Sequence, residues 1–314
     1  MIERRRIITG AASAALATAS GLAVRASHAQ QVPNSSGTEP PILKAPAGAC
    51  DCHMHIFDPA RFPPLTNRPV VPNATVADYR LLQKRLGTTR NVVVTPRNSG
   101  NEVTADAIAQ LGPNARGVAV VAPTITDAEL RRLNDAGVRG HRFDLADPAA
   151  AVTAETIESF AKRAADLGWH LQFFMNGDKI VELADLLGRL PAQMVFDHMG
   201  QPPLPAGIDH PSHGILRGLI DRGRTWVKLS NIASNSKIGP PSYPEATKIA
   251  QAFVKAAPER LLWGTDWPHP GTPTNKPDDA QLFDLWLEWG AGEQTRNRIL
   301  VQNPETLYGF AKAG

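Results

Sequence analysis

The sequence predicts an α/β fold, a single-domain (β/α)8 barrel of the TIM type. From Ala47 onward, short apolar runs alternate with helical stretches to the end of the chain. Strand-then-helix units recur eight times within about 250 residues, the count and length of a closed parallel barrel. The runs Asn91-Val92-Val93-Val94 and Gly117-Val118-Ala119-Val120-Val121 do not alternate, as suits strands covered on both faces. A doubly wound sheet would more often carry a Gly-rich phosphate turn after its first strand, and none is present.

Residues 1–29 read as an export signal. Arg4-Arg5-Arg6 precede Ile7-Ile8, a mildly apolar Ala-rich run and the small residues before a cut after Ala29. The arginines resemble a twin-arginine signal, which implies passage through the Tat translocon to a bacterial periplasm. A retained membrane anchor fits less well, because the apolar run is short and polar. Residues 30–46, rich in Pro, Ser and Gly, are expected to form a flexible leader, and residues 47–314 the barrel.

Within the barrel, strands are expected to end near His55, Pro96, Pro123, Asp144, Met175, His198, Ser230 and Asp266. Helices are expected over 76–87, 102–111, 126–136, 153–168, 178–188, 211–222, 244–257 and 278–290. The Pro-rich stretches Asp58 to Asn73 and Gln201 to His213 are long for connections and read as walls of a binding site. The tail from Asn303 to Phe310 reads as a short helix closing the barrel.

Composition narrows the function. Apolar residues are 42% and charged residues 20%, ordinary for a soluble globular protein. Lys and Arg number 33 against 30 Asp and Glu, and no basic block points to nucleic acid. Cys50 and Cys52, separated by one residue, suit neither a disulfide nor a four-cysteine zinc site and read as small packing residues. A homo-oligomer is compatible with these features.

Potential ligands recur where strands end, and in a barrel those ends meet at one mouth. His53 and His55 lie one residue apart and point the same way from a strand. His198 ends the sixth strand and Asp266 the eighth. Three imidazoles and a carboxylate could surround one divalent ion, zinc or manganese, with Asp266 as the general base for a water.

The pieces Asp51-Cys52-His53-Met54-His55-Ile56-Phe57, Phe196-Asp197-His198-Met199-Gly200 and Trp263-Gly264-Thr265-Asp266-Trp267-Pro268-His269-Pro270 occur in this order. With them the chain from Ala47 to Tyr308 resembles the amidohydrolase superfamily, in its amidohydrolase-2 branch of lactone hydrolases and a lactone isomerase. The resemblance implies the barrel, a lactone-opening activity on a carboxylic ester bond, and use of His53, His55, His198 and Asp266. It leaves two metal states open, one ion or none. With Arg142 rather than a lysine at the end of strand four, no bridge for two ions is expected.

Candidates for substrate contact are Arg142, Arg97, Ser99, Lys228, Ser230 and Tyr243. Arg142 could pair with a substrate carboxylate or with a barrel carboxylate. Lys228 and Ser230 share a strand face. His269, just past Asp266, could support it or serve only the turn. Members of the branch that take a dicarboxylate pyrone carry further arginines; here Gln201 and Lys237 stand in those neighbourhoods, which favours a monocarboxylate or sugar lactone. Decarboxylation of an aromatic acid, lactone isomerisation, and ligand binding without turnover are the alternatives.

Overall fold

Eight parallel strands pair strictly in chain order within one sheet. They are β1 (Cys50–Met54), β2 (Arg90–Val94), β3 (Ala115–Ala119), β4 (Val138–Asp144), β5 (His170–Phe174), β6 (Gln193–Phe196), β7 (Thr225–Leu229) and β8 (Leu261–Trp263). The structure, a computed structural model, describes residues 30–65, 73–97, 99–146 and 152–313. Helical crossovers between successive parallel strands curl such a sheet into a barrel, and the single-domain barrel expected is the fold found.

The helices are α1 (Val76–Leu86), α2 (Asn101–Leu111), α3 (Asp127–Asp135), α4 (Ala154–Asp166), α5 (Gly177–Glu182), α6 (Ala184–Arg189), α7 (Pro211–Asp221), α8 (Pro244–Ala256), α9 (Asp279–Asp284), α10 (Glu293–Asn297) and α11 (Asn303–Tyr308). Local chemistry starts several of them. Thr75 with Asp78, and Thr126 with Glu129, close reciprocal capping boxes on α1 and α3.

Two expected helices differ. The stretch 178–188 breaks at Leu183, which buries Ile180, Leu186 and Leu187 together. The stretch 278–290 is helical only to Asp284 and then tightens into a 3₁₀ turn, Leu285–Leu287, that tucks Trp286 inward.

The strands divide their side chains between two cores. Met54, Val93, Phe173, Met194, Val227 and Trp263 belong to the larger cluster, which packs helices onto the barrel. Cys50, Cys52, Val92, Val94, Val118, Val195, Trp226 and Leu262 fill the barrel interior, where Tyr308 and Phe310 from the tail join them. Both cysteines are free and buried packing residues.

The segment expected as a flexible leader is held against the barrel. Val32 is buried, and the Pro33 carbonyl accepts from the Trp267 indole at 2.8 Å. Arg85 bonds the Ser36 and Glu39 carbonyls, while the Asp284 carboxylate accepts from the amides of Ile42 and Leu43. Its prolines and glycine serve turns in a fixed path rather than freedom. The export signal, residues 66–72 of the first Pro-rich loop, and Asn98 lie outside the described residues. Among the described residues no helix is long and apolar enough to cross a membrane.

Two buried histidines tie this fold to pH. Burial pushes His141 and His170 down from 6.5 to about 3, and both ring nitrogens of His170 lack partners. The unfolded chain therefore takes up protons below 6.5 that the folded chain refuses, so their stabilising contribution is lost as pH falls from 6.5 toward 3. Asp51, which burial raises to about 6, acts in the opposite direction and returns part of that loss. The melting temperature is expected to drop by roughly 5–10 °C between pH 6.5 and 4.5. His170→Leu, which sacrifices no hydrogen bond, should flatten the curve; a flat wild-type curve would contradict the assignment.

Candidate active site

The site is built at the seam where β8 meets β1. The Asp51 carboxylate accepts from the amide and hydroxyl of Thr265, from the His53 amide and from the Tyr79 hydroxyl. Two main-chain bonds complete the closure, Asp266 N–H to the His53 carbonyl and His55 N–H to the Trp267 carbonyl, both at 2.8 Å. Gly264 permits the approach, because a Cβ there would lie 2.7 Å from the His53 backbone nitrogen. Closing the barrel therefore sets Asp266 beside the two histidines.

Along β1 the pairing register shifts between Asp51 and Met54. Cys52 and His53 consequently both face the interior, while Asp51 and Met54 face out, as a bulge allows and strict alternation does not. The ring centroids of His53 lie 5.0 Å from His55 and 4.8 Å from His198. Asp266 Oδ1 is 3.4 Å from Nε2 of both His53 and His55, and 3.8 Å from Nε2 of His198. His198 and Asp266 stand beyond their strands in left-handed turns, with φ of 53° and 63°. Met199, Gln201, Asn231, Tyr243 and His269 share that conformation, so backbone strain gathers at this mouth.

Each histidine is oriented from its far side. His55 Nδ1 lies 2.8 Å from the Val94 carbonyl, which can only accept, so that nitrogen carries a proton and Nε2 is left to face Asp266. His198 Nδ1 is 2.8 Å from the Ser230 hydroxyl. His53 Nδ1 faces Asp197 Oδ1 at 3.1 Å and Lys228 Nζ at 3.3 Å. Burial keeps His53 well below its ordinary pKa and lowers His198 too, so both are neutral near pH 7. Burial also opposes charge on Asp266, but the flanking His198, His55 and His53 outweigh it and hold the carboxyl below the usual range.

Beneath this set lies a second buried network. Asp197 Oδ2 accepts from Arg142 Nε at 2.8 Å and Gln172 Nε2 at 3.1 Å, and Lys228 Nζ donates to Gln172 Oε1 at 2.7 Å. Lys228 Nζ also lies 3.6 Å from Asp197 Oδ1. Burial opposes the Asp197 charge, yet His53, Arg142 and Lys228 keep its pKa well below normal.

Among the substrate-contact candidates, Lys228 and Ser230 share the inward face but are fully buried, and they position His53 and His198 rather than line the mouth. Tyr243 is buried in the outer core. Arg142 pairs with Asp197, and its guanidinium lies 4.6 Å from the Phe174 ring center. Arg97 sits on the same ring at 5.2 Å and pairs with Asp144. Arg97, just past β2, and Arg142 of β4 thus meet over Phe174 at the end of β5, each also paired with a carboxylate. Ser99 is half-buried in the loop after β2 and joins none of these contacts.

Sequence reading missed Asp197, Gln172 and Asp51, although Asp197 adjoins His198 in a motif already marked. It also missed Lys276, whose ammonium caps the carbonyls of Pro268 and His269, and the buried bond from His269 to Asp279. These supports come from distant segments that only the fold brings together.

The donor set suits one metal ion. His53 Nε2 and Asp266 Oδ1 are buried without any hydrogen-bond partner, and His53, His55 and Asp266 converge closely enough to hold a cation. His198 Nε2 faces the same carboxylate oxygen. Chemically the arrangement offers an ionised base, three imidazoles and two arginines near one mouth.

Comparison with known proteins identifies the family. The family model for amidohydrolases matches residues 50–310. The chain is 37% identical over 281 residues to a 2-pyrone-4,6-dicarboxylate hydrolase of Comamonas testosteroni, covering 85% of this chain and 92% of that protein. It is 35% identical to a 4-sulfomuconolactone hydrolase of Rhizobium radiobacter, covering 84% and 91%. Identity to a D-galactarolactone isomerase of Agrobacterium fabrum is 33%, covering 87% and 94%. A solved apo structure from Agrobacterium tumefaciens superposes with a TM-score of 0.80 at 30% identity, covering 89% and 99%.

Proposed function

The chain belongs to the amidohydrolase family, and on that premise we propose that it hydrolyses a small carboxylated or sugar lactone. The observation that carries this reading is the convergence of His53, His55 and His198 on the ionised Asp266 at the barrel mouth. Asp266 takes a proton from water as its oxygen adds to the ester carbonyl. The bond from the acyl carbon to the ring oxygen then breaks, and Asp266 returns the proton to that oxygen. Arg142 and Arg97, stacked on Phe174, face a substrate carboxylate and orient the ring. His55, fixed by the Val94 carbonyl, and His198, fixed by Ser230, keep their Nε2 atoms on the reacting side.

His53, His55 and Asp266, with His198 beside them, would hold one zinc or manganese ion. When bound, such an ion polarises the carbonyl and acidifies water. The relatives named for lactone hydrolysis support the reaction, and the isomerase among them keeps ring migration as the competing outcome. The export reading belongs to the same proposal: Arg4-Arg5-Arg6 and the Ala-rich run support Tat-dependent delivery to the periplasm.

A panel of monocarboxylated and sugar lactones, followed by product NMR and acid release, tests the reaction. Hydrolysis yields one new carboxylate per lactone consumed. An isomeric lactone without acid release, or carbon dioxide, would assign the site to isomerisation or decarboxylation instead.

A further inference from the structure

Two groups of potential ligands share His53 in this barrel. One is His53, His55 and Asp266; the other is His53, Asp197 and His198. Filling both would give a two-metal centre, so the protein needs something to decide how many cations enter. We propose that the Lys228 ammonium occupies the second position as a built-in cation and limits the centre to one ion.

The charges divide unevenly between the halves. Asp197 already has the Arg142 guanidinium at 2.8 Å and the Lys228 ammonium at 3.6 Å, two positive charges for one negative. Oδ1 of each carboxylate lacks a hydrogen-bond partner, but Asp266 has imidazoles around that oxygen and makes no contact with an ammonium or guanidinium among the described residues. A divalent cation entering the first half meets a carboxylate with no cation in direct contact; in the second it meets two in a site shielded from water. Like charges a few ångströms apart repel more strongly in such surroundings than in water.

Geometry locks the ammonium in place. Lys228 is fully buried on β7, its Nζ donates to Gln172 Oε1 at 2.7 Å, and it reaches His53 Nδ1 at 3.3 Å. Gln172 is in turn tied to Asp197 at 3.1 Å. An ion bound to the second group would have to share Asp197 Oδ1 with this ammonium. Lys228 is therefore a positioning residue that sets metal stoichiometry, a role distinct from the bridging lysine sought on strand four.

This inference rests on the reading that the first group takes a metal, and the test separates the two. Metal-free wild-type protein, Lys228→Gln, Lys228→Met and Lys228→Arg are titrated with cobalt(II), with bound metal per chain and visible absorption as readouts and circular dichroism as the fold check. Two neutral variants are used so that either alone suffices if the other fails to fold. Wild type and Lys228→Arg are expected to saturate at one equivalent and the neutral variants at two. Two equivalents in the wild type, or one in a folded neutral variant, overturns the role of Lys228 and leaves the metal reading standing. A wild type that takes none overturns the metal reading itself.

Discussion

Asp266→Asn is expected to lower kcat/KM for lactone opening by about 10²–10⁴-fold, the usual worth of a positioned general base. The substitution removes the charge and keeps the shape. Asn has the same shape and is among the few residues at ease with positive φ, so the 63° conformation survives. The amide that anchors the residue to the His53 carbonyl is backbone and is untouched. What disappears is an ionised oxygen within 3.4 Å of two imidazoles. Steady-state kinetics beside a thermal melt check this; full activity in the variant would remove Asp266 from the mechanism.

Asp197→Ala is expected to destabilise the protein by about 3–5 kcal/mol, the cost of breaking a buried ion pair from one side. Arg142 and Lys228 would remain inside the barrel without their shared counter-charge. His53 would also lose the group 3.1 Å from its Nδ1, so activity should fall with stability. Urea unfolding measures the first effect and kinetics on the folded fraction the second. A loss under about 1 kcal/mol, within the range of exposed pairs, would mean that the network is not buried in solution.

The barrel was legible in sequence because its signals are local. Apolar runs mark strands, and capping residues such as Thr75 and Thr126 mark helix starts within a residue or two of where they lie. His53, His55, His198 and Asp266 were legible for a topological reason: residues that end barrel strands share one mouth. The supports were less so. Lys228 and Ser230 could be placed on a face of β7 but not at a depth, and depth separates a contact with substrate from a prop for histidine. The bulge that turns Cys52 and His53 inward together depends on how β1 registers against β2, and the seam bonds of Asp51 to Thr265 join residues 214 positions apart. The pinned segment around Val32 and Pro33 was read as loose because proline and glycine mark irregular backbone whether or not it is anchored.

The most direct test is a single turnover of a cleaved lactone in ¹⁸O-labelled water. Attack by a site-activated water puts one ¹⁸O into the new carboxylate and none into the released hydroxyl. Label in the hydroxyl would place the attack on the alkyl carbon, and product without label would remove water as the nucleophile; either result contradicts acyl attack assisted by Asp266.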